Sequence, residues 1–136
     1  VIDLLIENGD PTIKELLTVY KMKTGALISA ACLLGCICAG ATDEQMAAAS
    51  SFAYSLGVAF QIQDDILDII GDEKELGKPI GSDAENNKTT YATIKGIEKA
   101  KEDVKKLTES AISQLRCFEN TEFLQQLAIS LINRNK

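Results

Sequence analysis

Between Pro11 and Pro79 the chain contains no proline, and apolar residues recur along that stretch at helical spacing. A proline inside a helix removes a hydrogen bond and clashes with the preceding turn, so its absence permits long unbroken helices. Trp is absent and aromatics make up only 5% of the residues, while apolar residues make up 46%. The core must then be built mainly from Leu, Ile, Val and Ala, which suits helix packing better than a sandwich. The punctuation agrees. Residues 1–8 read as a helix tail stopped by Gly9. Thr12 and Glu15 form a capping-box signal, and a helical pattern follows over 13–39, interrupted at Gly25. Gly40 to Thr42 reads as a turn with Thr42 as N-cap, and a second long helix covers 43–70, ending at Gly71. A short helix over 91–95, an amphipathic one over 97–117 and a last one over 122–132, capped by Asn120-Thr121, complete the reading. No useful strand-type alternation and no internal repeat is present, so the expected fold class is all-α.

The 136 residues suffice for one domain with a real core, and the net charge is −6. That balance argues against nucleic acid, whose phosphate backbone needs basic patches. It leaves room for a small polyphosphate, because a divalent cation can bridge carboxylate to phosphate. Cys32, Cys36, Cys38 and Cys117 offer no CxxC pair, and the chain has no His. Cys32 and Cys36 share a helical face, which a metal could use, but buried reduced thiols acting as small apolar residues are the favoured reading. A disulfide framework does not suit this size, so a reducing cytoplasm is expected. No stretch is lipid-like enough for a membrane span; the nearest, 24–42, is rich in Ala, Gly, Ser and Cys and reads as a tightly packed core helix. The chain opens on Val1 inside an apolar pattern, as if truncated at the front.

The most informative segment is FQIQDDILDIIGD. On a helix advancing about 100° per residue, Gln61, Asp64, Asp65 and Asp68 share an arc about 100° wide, with apolar residues around most of the remainder. Asp is a poor mid-helix residue, and like charges on one face repel. Two readings fit: a solvated acidic face, or a site for a hard divalent cation such as Mg²⁺, which takes oxygen ligands and keeps waters for phosphate. Three carboxylates beside a Gln on an otherwise apolar helix favour the cation. Upstream, the same arc carries Tyr54, Gly57 and Val58, so a pocket for a charged head and an apolar tail is expected along it.

Three lysines accompany this face. Lys23 precedes Thr24-Gly25, where the Gly weakens the helix and the break could free the Lys23 carbonyl toward a ligand. Lys78 lies in Gly77-Lys78-Pro79-Ile80-Gly81, suited to a tight turn, and Lys88 follows Asn86-Asn87. The aperiodic connection 71–90 that holds the last two reads either as a functional lid or as a surface insertion. Lysines beside a carboxylate–metal site are the groups needed to stabilise a departing diphosphate.

Asp64-Asp65-Ile66-Leu67-Asp68 resembles the second aspartate-rich DDxxD motif of the trans-isoprenyl diphosphate synthases. The context is similar as well: Phe60-Gln61 before it, Gly71-Asp72, Gly77-Lys78, Gly81 and Asp83 after it, then Asn87-Lys88-Thr89-Thr90-Tyr91. Lys23-Thr24-Gly25 resembles the family's Lys-Thr-Gly motif, and the ending, 132–136, is similar to that of bacterial farnesyl diphosphate synthases. The resemblance covers essentially the whole chain. It implies a helical bundle of the isoprenoid synthase type, with 1–136 as the C-terminal part of a single all-α domain whose N-terminal half is absent. It implies a Mg²⁺-dependent prenyltransferase that condenses isopentenyl diphosphate with an allylic diphosphate (dimethylallyl or geranyl) to give farnesyl diphosphate, cytoplasmic and homodimeric when full length.

Carried over by position, the resemblance makes Asp64, Asp65 and Asp68 the metal residues. Lys23, Lys78 and Lys88 would hold the allylic diphosphate. The Lys23 carbonyl, Thr24 hydroxyl and Gln61 amide would stabilise the carbocation, and Phe60 would lie against isopentenyl diphosphate. Tyr20 departs from the pattern, standing where many bacterial members have His. The first aspartate-rich motif and the basic isopentenyl diphosphate site belong to the family's N-terminal half, so this chain would supply one wall of the cavity and show negligible turnover alone. Competing readings are a geranylgeranyl or longer-chain synthase, a non-catalytic diphosphate-binding subunit, and a terpene cyclase or squalene-synthase-like enzyme. The Gly-Lys-Pro-Ile-Gly segment and the ending favour the chain-elongating synthases over the last of these.

Overall fold

The computed structural model describes residues 9–76 and 88–135. Among these the regular structure is helical throughout. Helix α1 covers Ile13–Tyr20, a π-helical turn covers Lys21–Gly25, and α2 continues over Ala26–Cys38. Then come α3 (Asp43–Leu76), α4 (Tyr91–Lys95), α5 (Ile97–Ser113), a 3₁₀ turn (Gln114–Cys117) and α6 (Glu122–Ile132). The expected tail over 1–8 and the Gly77–Gly81 turn with Lys78 lie outside the described residues.

The local signals explain most of the boundaries. Thr12 and Glu15 close the capping box that starts α1. Thr42 and Gln45 do the same for α3, each backbone N–H meeting the other's side-chain oxygen. Gly40 takes φ +68° and ends α2 in a Schellman arrangement, with Ala41 N–H on the Cys36 carbonyl and Gly40 N–H on that of Ile37. Two expectations fail. Helix α3 does not end at Ile70 but continues to Leu76, because a single Gly costs only about 1 kcal/mol in a helix. Thr121 does occupy the N-cap of α6 but makes no capping hydrogen bond; its hydroxyl accepts from Gln125 Nε2 instead.

Helix α3, 34 residues long, is the spine. Phe52, Ala53, Leu56, Ala59, Ile62 and Ile66 on it are nearly inaccessible to solvent. Around its midpoint they meet Leu16, Val19 and Tyr20 of α1, Tyr91 and Ala92 of α4, and Ala100 and Val104 of α5. Nearer its start, Phe52 and Leu56 pack with Ala111, Leu115 and Ala128. Helix α5 faces this core with Ala100, Val104, Thr108 and Ala111, and its outer side carries ion pairs of Lys99 with Glu102 and Asp103, and of Lys101 with Glu98.

The run Ile13–Cys38 is, by length and composition, long and apolar enough to cross a membrane. Its second half is not the tightly packed core helix that its composition predicts. In α2 only Ser29 is buried, bridging to Ser50 Oγ at 3.2 Å, while Leu27, Leu34 and Ile37 are exposed. Small residues allow close packing but do not oblige it.

Candidate functional site

The Asp-bearing stretch of α3 passes α1 on one side and the segment after α6 on the other. Three of the four residues of the expected arc divide between these neighbours. Gln61 Nε2 donates to Thr24 Oγ1 at 2.7 Å. Tyr20 Oη donates to Asp65 Oδ2 and accepts from the Tyr91 backbone N–H at 3.3 Å. Asp64 Oδ1 takes a hydrogen bond and an ion pair from Arg134. Asp68 is exposed.

The contact with the π turn after α1 depends on two glycines. A Cβ on Gly57 would lie 2.5 Å from the Gly25 Cα and 2.6 Å from its nitrogen; one on Gly25 would lie 2.8 Å from Tyr54 Cδ1. The two backbones therefore touch at a point where only glycine fits. Thr24 and Gln61 flank this contact, Gln61 four residues (about one turn) after Gly57 on α3 and Thr24 one residue before Gly25 on the π turn. The α-helix is interrupted at Gly25, as expected, but by a change of helix type and not by a break. Gly25 sits in a π turn, with the Ala26 N–H on the Lys21 carbonyl; such turns are frequent at functional sites. Of the arc expected to line a pocket upstream, Tyr54 is part-buried. Gly57 and Val58 are buried, Gly57 against the π turn, and the Lys21 ammonium of that turn lies 4.9 Å from the centre of the Tyr54 ring.

Burial is the main cause that pushes the Asp65 carboxyl up to about 6, and the charge of Asp68 adds to it. The Tyr20 hydroxyl, the Tyr91 N–H and the Lys88 charge pull the other way without cancelling it. The structure thus brings exposed Lys88 into electrostatic reach of Asp65, and it places exposed Lys23 on the π turn beside Thr24. Phe60 is half-buried, with the Arg134 guanidinium 4.0 Å from its ring centre. The carboxylates do not converge: among the described residues no three Asp, Glu or Cys side chains come close enough to hold one metal ion.

Two residues outside the expected set belong to this constellation. Tyr20 has a signal in the sequence, since it lies four residues before Thr24 and so on the same face of a helix. Arg134 has almost none; it is one of two arginines in the chain, seventy residues from its partner. Tyr91, buried and bonded to Asp103 at 2.7 Å, anchors α4 on α5 and so holds its own N–H against Tyr20.

A stack of helices around one long helix, with an acidic, amide and hydroxyl seam along it, defines the class structurally: an all-α protein with its candidate site on the central helix. Comparison with known proteins places the chain within that class. The polyprenyl synthetase profile matches residues 1–128, and the chain belongs to this family. It is 43% identical to the short chain isoprenyl diphosphate synthase of Methanocaldococcus jannaschii over 76% of the chain and 32% of that protein. It is 39% identical to the geranylgeranyl diphosphate synthase of Cyanophora paradoxa over 99% of the chain and 46% of the relative, and 38% identical to the farnesyl diphosphate synthase of Haemophilus influenzae over 98% and 46%. Among solved structures, geranylgeranyl pyrophosphate synthetase from Pyrococcus horikoshii superposes with a TM-score of 0.77 at 30% identity, covering 98% of this chain and 53% of that one. The isoprenyl-synthase type of all-α fold expected from the motifs is the one observed. The chain spans about half the length, or less, of these relatives.

Proposed function

We propose that the chain forms the diphosphate-ionising wall of a short-chain trans-prenyltransferase that joins isopentenyl diphosphate to an allylic diphosphate. The observation that carries this reading is the Thr24–Gln61 hydrogen bond, fixed by the Gly25–Gly57 contact and lying within one turn of Asp64 and Asp65. The reaction needs one end of a cavity to withdraw charge from a diphosphate and the neighbouring surface to tolerate an allylic cation. Side-chain oxygens of Thr and Gln supply the second, because their dipoles face positive charge without attacking it.

The donor set fits Mg²⁺. All candidate ligands are carboxylate oxygens, and Mg²⁺ is commonly held by one or two carboxylates with waters and phosphate oxygens completing the shell. Convergence of all three Asp on one point is therefore not required. Asp68, exposed, and Asp64 and Asp65, once released from their internal partners, would hold it, and bound Mg²⁺ would neutralise charge on the leaving diphosphate. Lys23, Lys88 and, by motif, Lys78 would bind the diphosphate oxygens. Phe60 offers its ring beside isopentenyl diphosphate. The second wall, with the first aspartate-rich motif, would come from the half of the domain that the relatives have and this chain lacks, and the whole enzyme would be a cytoplasmic homodimer with no membrane span. The four free thiols suit a reducing compartment.

Farnesyl diphosphate is the proposed product. Geranylgeranyl diphosphate is the second reading, favoured by the near-equal identity to synthases of both kinds, 39% and 38%. The test joins this chain to the N-terminal half of a family member and supplies both substrates with Mg²⁺, with product length read by chromatography of the dephosphorylated alcohols. A folded fusion that yields no prenyl product of any length would sink the proposal. The 136-residue chain alone should turn over negligibly; a kcat near that of an intact synthase would refute the half-site argument.

A further inference from the structure

Arg134 is bound in an unusual way. Its guanidinium carbon lies 4.0 Å from the Phe60 ring centre, and Nη2 reaches Asp64, yet Nε is buried with no hydrogen-bond partner. A guanidinium placed for structural pairing alone would use its fork on both carboxylate oxygens. Here one donor is committed, one is orphaned, and the ring beneath stabilises the charge by a cation–π contact. The partner is not an ordinary surface acid. Asp64 belongs to the face where three carboxylates crowd one side of α3, and the structure holds two of them away from each other: Asp65 by Tyr20 on one flank, Asp64 by Arg134 on the other. That outward pull accounts for their failure to converge.

We infer that Arg134 is a tethered counter-cation: it occupies Asp64 while the face is free of metal, and it must leave when a divalent cation binds there. Cation loading and release of the segment after α6 are then one coupled step. By linkage, the factor by which Arg134 weakens cation binding equals the factor by which the cation weakens docking of residues 133–135. Phe60 gives the guanidinium a resting place beside the carboxylate, so release need not carry it far. This rests on the Mg²⁺ reading of the Asp64–Asp68 face proposed above.

The test measures Mn²⁺ binding, by the electron-spin signal of the free ion, in the 136-residue chain and in its Arg134→Gln and Arg134→Lys variants. Removing the guanidinium should tighten binding by about fivefold, the scale of a part-exposed ion pair. Lys, which keeps the charge but not the planar group, should fall between, and it keeps the comparison informative if Gln disturbs the packing on Phe60. Amide hydrogen exchange at 133–135 should quicken on adding Mn²⁺ to the unaltered chain and should already be fast in Arg134→Gln without metal. Equal or weaker Mn²⁺ binding in Arg134→Gln, or exchange at 133–135 indifferent to the ion, overturns the counter-cation role and leaves the metal reading intact. Absence of binding in all three chains overturns both.

Discussion

Replacing Asp65 by Asn should make the metal-free chain more stable at neutral pH. In the folded chain the carboxyl is pushed up to about 6, from an ordinary 3.8, mostly by burial. Two pH units at about 1.4 kcal/mol each set a ceiling of roughly 3 kcal/mol on the penalty for its charge. The amide removes that penalty while its carbonyl still accepts from the Tyr20 hydroxyl. Part of the gain is lost, because hydroxyl and backbone donors bind an anion more strongly than a neutral oxygen; a net gain of about 1–2 kcal/mol remains. The sign follows from the direction of the shift. A carboxyl with a raised folded pKa contributes stability in its protonated form, full below about pH 4 and lost as pH rises through 6. The advantage of Asp65→Asn should therefore be small at pH 4, grow between 4 and 6, and level off above 7. Urea unfolding followed by circular dichroism from pH 4 to 8 measures it. A variant less stable than the parent at pH 8, or a difference that does not change with pH, would refute the reasoning. Adding Mg²⁺ at pH 8 should narrow the gap, since the ionised carboxylate then gains a partner that Asn cannot use.

Other expectations follow from the same geometry. Tyr20→Phe removes a group that holds the Asp65 pKa down, so the carboxyl should titrate above 6, as read from its ¹³C shift; an unchanged or lower value would count against the Tyr20 contact. Gly57→Ala should cost at least 2 kcal/mol, because backbone cannot retreat from the added carbon as a side chain can. Gly35→Ala, with nothing within 4 Å of the new atom, should instead stabilise α2 by up to about 1 kcal/mol. Thr24→Val should lose about 1 kcal/mol through the orphaned Gln61 amide, less if water reaches it, and leave the helix content unaltered.

Much of this was legible in the sequence, for reasons that are local. Thr12 with Glu15 and Thr42 with Gln45 mark helix starts because a capping box involves residues three apart, and the arc of Gln61, Asp64, Asp65 and Asp68 follows from helical period alone. What was not legible depends on contacts between distant segments. Gly25 reads as a helix breaker until Gly57 is seen against it. Nothing in the spacing of Tyr54 and Gly57 announces that the π turn packs against both. The partner of Asp64 comes from the far end of the sequence, and no spacing rule connects them. Helix α2 shows the reverse error: its small residues look like packing, but what a helix buries depends on which neighbours are present.

The π turn at Lys21–Gly25 also sets a relation between the two halves of the helix that contains it. It fits more residues into a turn than an α-helix does, so α2 starts out of phase with α1 by about a quarter of a turn. Leu16, Val19 and Tyr20 can then look inward at α3 while Leu27, Leu34 and Ile37 look elsewhere on what is nearly one axis. Deleting a single residue within 21–25 would restore the α-helical phase and swing every side chain of α2 by roughly 100°. The Thr24–Gln61 contact and the outward surface of α2 are thus geared to each other through five residues, and neither can be redrawn by an insertion or deletion there without turning the other.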